Sequence, residues 1–465
     1  MITSPAFAGK SYAVLGLARS GAATVEALLA SGATVMAWDQ NEAARDALNS
    51  SLKGMGTARS VVEGSAAEPA PPPASGWSPS PAKAREEFIR LADPLVTSLY
   101  GYSGIVVSPG VPINRHPIAR RARESNVPLI GDIELFAQAR SSLPAHKVVG
   151  ITGTNGKSTT TALVHHILQT AGVPSLMGGN IGLPILSQDP LTPNANGVGV
   201  YVLELSSYQI DLTHSLDCDV AVLLNVTPDH LDRYDGIDDY AASKARLFAM
   251  QSPDHVAVIA TEDDYSRAIA GQIAGARVLV ASSQIKDQSR WPSLQGPHNA
   301  QNAAAAVAVA RALGVPDDAI ALGLASYPGL PHRMERVAEK NGVLFVNDSK
   351  ATNPDSTAPA LGAYPAIHWI LGGLPKSHDL DPCKPYLDHV RAAYTIGEAG
   401  PMFAALLRGQ VPVEECVILD RAVGAAAGAA KAGEVVLLSP ACASFDQYKD
   451  YEARGAAFRA AVEAL

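Results

Sequence analysis

The sequence predicts an α/β protein of three domains: N-terminal Rossmann-like, central P-loop ATPase-like on a parallel sheet, and C-terminal Rossmann-like. Three observations carry this. Short β-branched apolar runs alternate with amphipathic helical stretches along most of the chain, the pattern of parallel sheets with crossover helices. Glycine-containing turns follow several predicted strands, on the side where α/β proteins hold ligands. The 465 residues exceed what one hydrophobic core usually serves. Breaks are expected near residue 135 and in Tyr327-Pro328-Gly329-Leu330, giving domains 1–135, 136–329 and 330–465.

In the first domain, strand Ser11–Leu15 runs into Gly16-Leu17-Ala18-Arg19-Ser20-Gly21 and a helix to about Leu29; strand Ala33–Trp38 then ends at Asp39. An acidic residue at that distance is where a Rossmann unit holds a ribose or base. Ala18 stands where the dinucleotide fingerprint has glycine, so a plain strand–helix turn stays open. Residues 64–82, rich in proline, alanine and serine, cannot build a core and are expected to form a mobile insertion. A strand and tight turn follow at Gly104–Gly110, containing Ser108, then a helix over Pro117–Ser125 and a strand over Val127–Ile130.

The central domain opens with strand Lys147–Thr152 and the turn Gly153-Thr154-Asn155-Gly156-Lys157-Ser158-Thr159, which with Gly150 fits G-x-x-x-x-G-K-[ST]. Small residues let backbone N–H groups converge on an anion at a helix N-terminus. Lys157 would reach β- and γ-phosphates, and Ser158 would offer its hydroxyl to Mg²⁺; the alternative is a glycine-rich turn with an exposed lysine. Gly178–Gly182 reads as a loop around Asn180. Strand Tyr201–Ser207 carries Glu204, which either shares Mg²⁺ with Ser158 or is a cap. Strand Val220–Val226 leads to Asp229 and His230, on Glu204's side if the strands are parallel. Lys244 reads, from the residues alone, as a solvated helix lysine. After strands Val256–Ala260 and Val278–Ala281, Asn299 and Asn302 share one face of an alanine-rich helix, where two amides could read a purine edge.

The C-terminal domain repeats the alternation: strands Val343–Asn347, Ala366–Gly372, Ala393–Gly397, near Val417–Leu419 and Glu434–Ser439, with helices between them, one over Lys384–Arg391. Its strand-end loops hold Asp348-Ser349-Lys350-Ala351-Thr352-Asn353, Gly372–Ser377 with Lys376, and Ser439–Asp446 with Ser444 and Phe445.

Composition bounds the function class. With 47% hydrophobic and 17% charged residues the chain reads as globular, and no apolar run approaches the length that crosses a bilayer. The start lacks the pattern of a secretory signal, so a cytoplasmic protein without membrane insertion is expected. A net charge of −9 argues against a nucleic-acid surface. Four scattered cysteines, with no C-x-x-C pair, are expected as reduced, buried thiols. A triphosphate site flanked by two further α/β domains fits ATP-driven joining of two substrates, in which phosphoryl transfer activates a carboxylate for attack by an amine.

Jointly, Gly153–Ser158, Gly179–Gly182, Glu204–Gln209, Asp229–Tyr234, His298–Asn302, Leu330–Glu335, Asn347–Asn353 and Ser439–Ser444 resemble the Mur ligase family, in its D-glutamate-adding branch. The resemblance implies addition of D-glutamate to UDP-N-acetylmuramoyl-L-alanine through an acyl phosphate, in peptidoglycan precursor synthesis, with ATP and two Mg²⁺ ions. It implies one metal on Ser158 and Glu204, and a second on His230 and a carbamylated Lys244; Lys157, Glu204, His230 and Lys244 form the implied catalytic set. Gly153 to Thr159, Asn299, Asn302, Arg333, Asp348 and Lys350 would contact ATP. Asp39, Ser108, Asn180, Ser206 and Gln209 would face the uridine-linked substrate, and Thr352, Lys376, Ser444, Phe445 and Tyr451 the D-glutamate. A monomer is expected. Other Mur ligases and folylpolyglutamate synthetase are the nearest rivals; from other classes, a P-loop ATPase switch would hydrolyse ATP without an amino acid, and a nicotinamide oxidoreductase is disfavoured by Ala18.

Overall fold

The computed structural model describes residues 1–54, 88–229 and 233–465. The expected insertion at 64–82 and His230 lie outside these residues. Among the described residues, seventeen strands form three sheets. The first takes β1 (Ser11–Leu15), β2 (Thr34–Trp38), β3 (Ile89–Leu91), β4 (Gly104–Val107) and β5 (Leu129–Ile130) in the order β3-β2-β1-β4-β5, all parallel. Strand order reverses between β1 and β4, so the turns after these strands flank the crevice where α/β sheets bind ligands.

The second sheet comprises β6 (His146–Thr152), β7 (Ser175–Gly179), β8 (Gly199–Glu204), β9 (Val220–Leu223), β10 (Val256–Ala260) and β11 (Arg277–Val280) in the order β11-β10-β9-β6-β8-β7. Strands β6 to β10 run parallel, so the ends of β6, β8 and β9 share one edge. The third comprises β12 (Glu335–Lys340), β13 (Val343–Asn347), β14 (Ile367–Gly372), β15 (Val390–Ile396), β16 (Val413–Val417) and β17 (Val435–Leu438) in the order β12-β13-β17-β14-β15-β16; all are parallel except β12.

The chain divides into two compact units, Met1–Thr161 with Ala171–Leu279, and Ala162–Thr170 with Val280–Leu465. In the first unit one apolar core runs continuously from Phe7 and Val35 under the first sheet to Tyr201 and Leu203 in the second. The helix Asp132–Ala139 joins them: Phe136 meets Tyr201 edge-on at 5.0 Å, and the Glu134 carboxylate accepts His214 N–H, Ser215 N–H and the Ser215 hydroxyl at 2.7–2.9 Å. In the second unit, Trp369, Leu371 and Phe403 fill one face of the third sheet, and Phe345, Ile370, Leu438 and Phe458 the other. All four cysteines are buried and free. Among the described residues no helix is long and apolar enough to cross a membrane.

Two expected elements differ. Asp381–His389 is a 3-10 helix, because Pro385 inside it has no N–H for α-helical bonding, and Val390-Arg391 belong to β15. The strand expected near Val417–Leu419 is β16, four residues earlier by its start at Val413; Val417 turns to a φ of 68°, and Leu419 already opens a helix.

Candidate active site

Strand β6 delivers the chain from a buried run into the turn Gly153–Gly156, and helix Lys157–Thr170 begins at once. Gly156, at a φ of 85°, adopts a conformation that side chains disfavour. The Lys157 ammonium folds over the turn and donates to the carbonyls of Gly153 and Thr154, both at 2.7 Å. Asn225, two residues past β9, clasps the turn from beside it. Its backbone carbonyl accepts Thr154 N–H at 2.9 Å, its Oδ1 accepts Asn155 N–H at 2.8 Å, and its Nδ2 donates to the Asn155 carbonyl at 3.1 Å.

Glu204 ends β8 in register with Ile151 of β6. It is 2% exposed; Oε1 accepts Asn180 Nδ2 at 3.1 Å, while Oε2 is buried with no hydrogen-bond partner. Gly179, just before Asn180, lies so close to the Glu204 carbonyl that a Cβ there would sit 2.1 Å from it. An orphaned, buried carboxylate oxygen one strand from the Ser158 hydroxyl is a hard-donor arrangement that fits a divalent cation. Among the described residues no three His, Cys, Asp or Glu side chains cluster to hold a metal by themselves.

Lys244 corrects the solvated reading. Helix Ile237–Ala249 turns Tyr240, Ser243, Lys244 and Leu247 inward, and Lys244 is 1% exposed. Its Nζ donates to the Gly153 carbonyl at 3.1 Å and lies 4.3 Å from the Tyr240 ring centroid. Burial, and then the Lys157 charge, holds this amine well below the ordinary lysine range, with Asp229 and Asp211 acting the other way. Ser206 and Gln209 form a capping box on the helix Ser207–Asp211: Gln209 is buried and its Oε1 accepts both the Ser206 N–H and hydroxyl at 3.1 Å, which puts it behind Ser206.

At the switch point of the first sheet, Asp39 accepts Leu17 N–H at 2.7 Å and Asn41 N–H at 2.9 Å, and the Ser108 hydroxyl donates to the Gly16 carbonyl at 2.8 Å. Both expected contacts thus brace the turn after β1. Arg19, the first residue of the helix Arg19–Ala30 that follows this turn, donates to the Gly182 carbonyl at 2.8 Å, joining it to the Asn180 loop.

In the second unit, helix Pro297–Ala312 buries both Asn299 and Asn302, with Asn302 Nδ2 donating to Asn299 Oδ1 at 3.1 Å. Arg333 lies between His332 and Met334, which both take positive φ. Asp348, past β13, accepts Met334 N–H at 3.2 Å and the Ser439 hydroxyl at 2.9 Å; burial pushes its carboxyl up to about 7, against those bonds and Arg333. Lys350 Nζ lies 3.7 Å from the Tyr451 ring centroid, and the exposed Lys376 donates to Thr352 at 3.4 Å. Ser444 is buried beside Phe445, which is 68% exposed.

One residue that sequence reasoning missed organises these loops. Arg454 is 1% exposed and makes five hydrogen bonds of 2.9–3.4 Å: to Ser349 Oγ and carbonyl, and to the carbonyls of Gly372, Cys442 and Ala443. It ties together the three strand-end loops that carry Lys350, Lys376 and Ser444. Burial lowers its guanidinium to about 10, so it remains charged at neutral pH.

Residues 151–293 match the Mur ligase middle domain, and residues 332–442 match the Mur ligase, glutamate ligase domain. A UDP-N-acetylmuramoylalanine--D-glutamate ligase of Novosphingobium aromaticivorans is 60% identical over 470 residues, covering 100% of this chain and 97% of that protein. Another of that name, from Zymomonas mobilis, is 57% identical over 472 residues and 100% of both chains. Among solved structures, the MurF ligase of Thermotoga maritima in complex with ADP superposes with a TM-score of 0.57 at 19% identity, over 78% of this chain and 90% of that one.

Proposed function

Since the chain belongs to the Mur ligase family, we propose that it is an ATP-dependent ligase that adds D-glutamate to UDP-N-acetylmuramoyl-L-alanine during peptidoglycan precursor synthesis. The observation that carries this is full-length identity of 60% to a relative bearing that name. The chemistry needs an activated acyl group, because a carboxylate oxygen is a poor leaving group. The γ-phosphoryl of ATP moves to the alanyl carboxylate, giving an acyl phosphate and ADP; the D-glutamate amine then attacks the carbonyl carbon and displaces inorganic phosphate.

The scheme assigns parts to the expected site residues. Lys157 would exchange its two loop carbonyls for phosphate oxygens, bringing its charge to where negative charge gathers during transfer. Ser158 and Glu204 would hold one Mg²⁺, which the orphaned Glu204 oxygen supports; His230 and Lys244 would hold the second. When bound, such cations offset repulsion between the triphosphate and the incoming carboxylate. Lys244 would offer oxygen donors once carbamylated: its depressed basicity favours the neutral amine, which adds to carbon dioxide to form a carbamate with release of one proton. Asn299, Asn302, Arg333, Asp348 and Lys350 are assigned to ATP. Asp39, Ser108, Asn180 and Ser206 are assigned to the uridine-linked substrate, with Gln209 supporting Ser206. Thr352, Lys376, Ser444, Phe445 and Tyr451 are assigned to D-glutamate.

The three sheets support division into three domains, about 1–135, 136–329 and 330–465. ATP and a nucleotide-linked substrate favour a cytoplasmic setting, and the chain is read as a monomer. The test is phosphate release by the full chain with ATP, Mg²⁺ and UDP-N-acetylmuramoyl-L-alanine, scanning D-glutamate, L-glutamate, L-alanine and a diamino acid. Release that requires D-glutamate supports the reading; preference for another amino acid points to a sister ligase, and indifference to all four to an ATPase switch.

A further inference from the structure

We infer that Asn225 is a positioning residue for the phosphate loop, fixing the backbone of Thr154 and Asn155 and locking it to the segment that runs on to Asp229. The inference rests on reading Gly153–Thr159 as the ATP site. A loop with glycines at both ends gains freedom from them and needs an external hold to keep one shape. Asn225 provides it. Its side-chain amide presents a donor and an acceptor side by side, and both meet one residue: Oδ1 takes the Asn155 N–H at 2.8 Å and Nδ2 gives to the Asn155 carbonyl at 3.1 Å. A two-point contact to a single residue fixes the peptides on both its sides. Aspartate would keep the acceptor and lose the donor; leucine would keep the approximate shape and lose both.

The hold extends past one side chain. The Thr154 N–H bonds to the Asn225 carbonyl at 2.9 Å, and the Thr154 hydroxyl both accepts Thr227 N–H at 3.0 Å and lies 3.1 Å from the Thr227 carbonyl. Residues 154–155 and 225–227 are thereby zipped together. Next along, Val226 N–H is anchored on Asp263 at 3.2 Å. The amides of Thr154 and Asn155 both bond to Asn225. Their role is to set the loop's shape. Because the clasped segment continues directly to Asp229, a displaced phosphate loop and a displaced Asp229 segment would be one event.

The experiment compares wild type, Asn225→Asp and Asn225→Leu as full-length chains, measuring affinity for Mg·ATP by calorimetric titration, KM for ATP and for D-glutamate, and melting temperature. Loss of one and two hydrogen bonds is expected to weaken ATP binding roughly tenfold in Asn225→Asp and roughly 30-fold in Asn225→Leu. KM for ATP should rise in parallel and KM for D-glutamate stay within about twofold. Variants that melt lower yet bind ATP as wild type does would reduce Asn225 to a structural tie and overturn the inference. Wild type that binds ATP without D-glutamate-dependent phosphate release would refute the ligase reading while the binding comparison still decides Asn225; wild type that fails to bind ATP would overturn both.

Discussion

Replacing Arg454 by lysine is the sharpest probe of how the C-terminal loops are built. The guanidinium reaches five acceptors on three loops from a site 1% exposed. Its planar fork places donors on three nitrogens in fixed directions; lysine keeps the charge but carries its three donors on one atom. Two or three of the five bonds are therefore lost. Hydrogen bonds to a charged group contribute roughly 1.5–3 kcal/mol each, and relaxation recovers part of that, so a loss of about 3 kcal/mol is expected. Whole-chain melting is a poor reporter, because a chain of two units need not unfold in one step. Amide hydrogen exchange reads the loops directly. Exchange limited by local opening should accelerate roughly a hundredfold over residues 349–353, 372–377 and 439–445, and KM for D-glutamate should rise at least about tenfold, with ATP affinity little changed. Lysine at 454 with wild-type exchange in these loops would refute the argument that the fork organises them.

Other consequences follow from single groups. Glu204→Gln loses no protein hydrogen bond at its orphaned oxygen, so it should fold and melt as wild type does while D-glutamate-dependent phosphate release falls at least about 100-fold; retained release with unchanged Mg²⁺ dependence would count against the assigned metal. For Lys244, protein stripped of carbon dioxide should lose most of its activity and regain it with ¹³C-bicarbonate, giving a carbamate NMR signal that Lys244→Ala lacks. Asp132 is buried, and burial pushes its carboxyl up to about 6, outweighing the Ile133 N–H bond that lowers it. The folded state then holds an extra proton between about pH 4 and 6, so stability from this group falls as pH rises through that window and the full cost, about 3 kcal/mol, stands above it. Asp132→Asn should therefore raise the urea midpoint at pH 8 and leave it nearly unchanged near pH 4; an equal effect at both would refute the sign.

What was legible in the sequence depended on local pattern. Strands such as Ser11–Leu15 and Val256–Ala260, and the phosphate turn, announce themselves by β-branched runs and glycine spacing within a few residues. Pro382 and Pro385 are equally local signals: a proline has no N–H for α-helical bonding, which is why Asp381–His389 winds as a 3-10 helix and not as the α-helix expected over Lys384–Arg391. The antiparallel edge strand Glu335–Lys340 was missed because its sequence is charged and its pairing with Val343–Asn347 is tertiary. Lys244 looked solvated for a related reason: its helix face is decided by Tyr240 and Leu247 packing inward, and only the family resemblance placed it at the site. Asn225 and Arg454 carried no local signal. Their partners lie 70 and up to 105 residues away in the chain, and an asparagine after a strand or an arginine in a helix is ordinary until the fold brings those backbones together.

The most direct measurement follows an oxygen atom. UDP-N-acetylmuramoyl-L-alanine labelled with ¹⁸O in both carboxylate oxygens should, with ATP, Mg²⁺ and D-glutamate, yield phosphate carrying one ¹⁸O and an amide product keeping the other, because the bridging oxygen of the acyl phosphate departs with phosphorus. Phosphate released without label would contradict the account, since ATP would then have been hydrolysed by water rather than spent on the substrate's carboxylate.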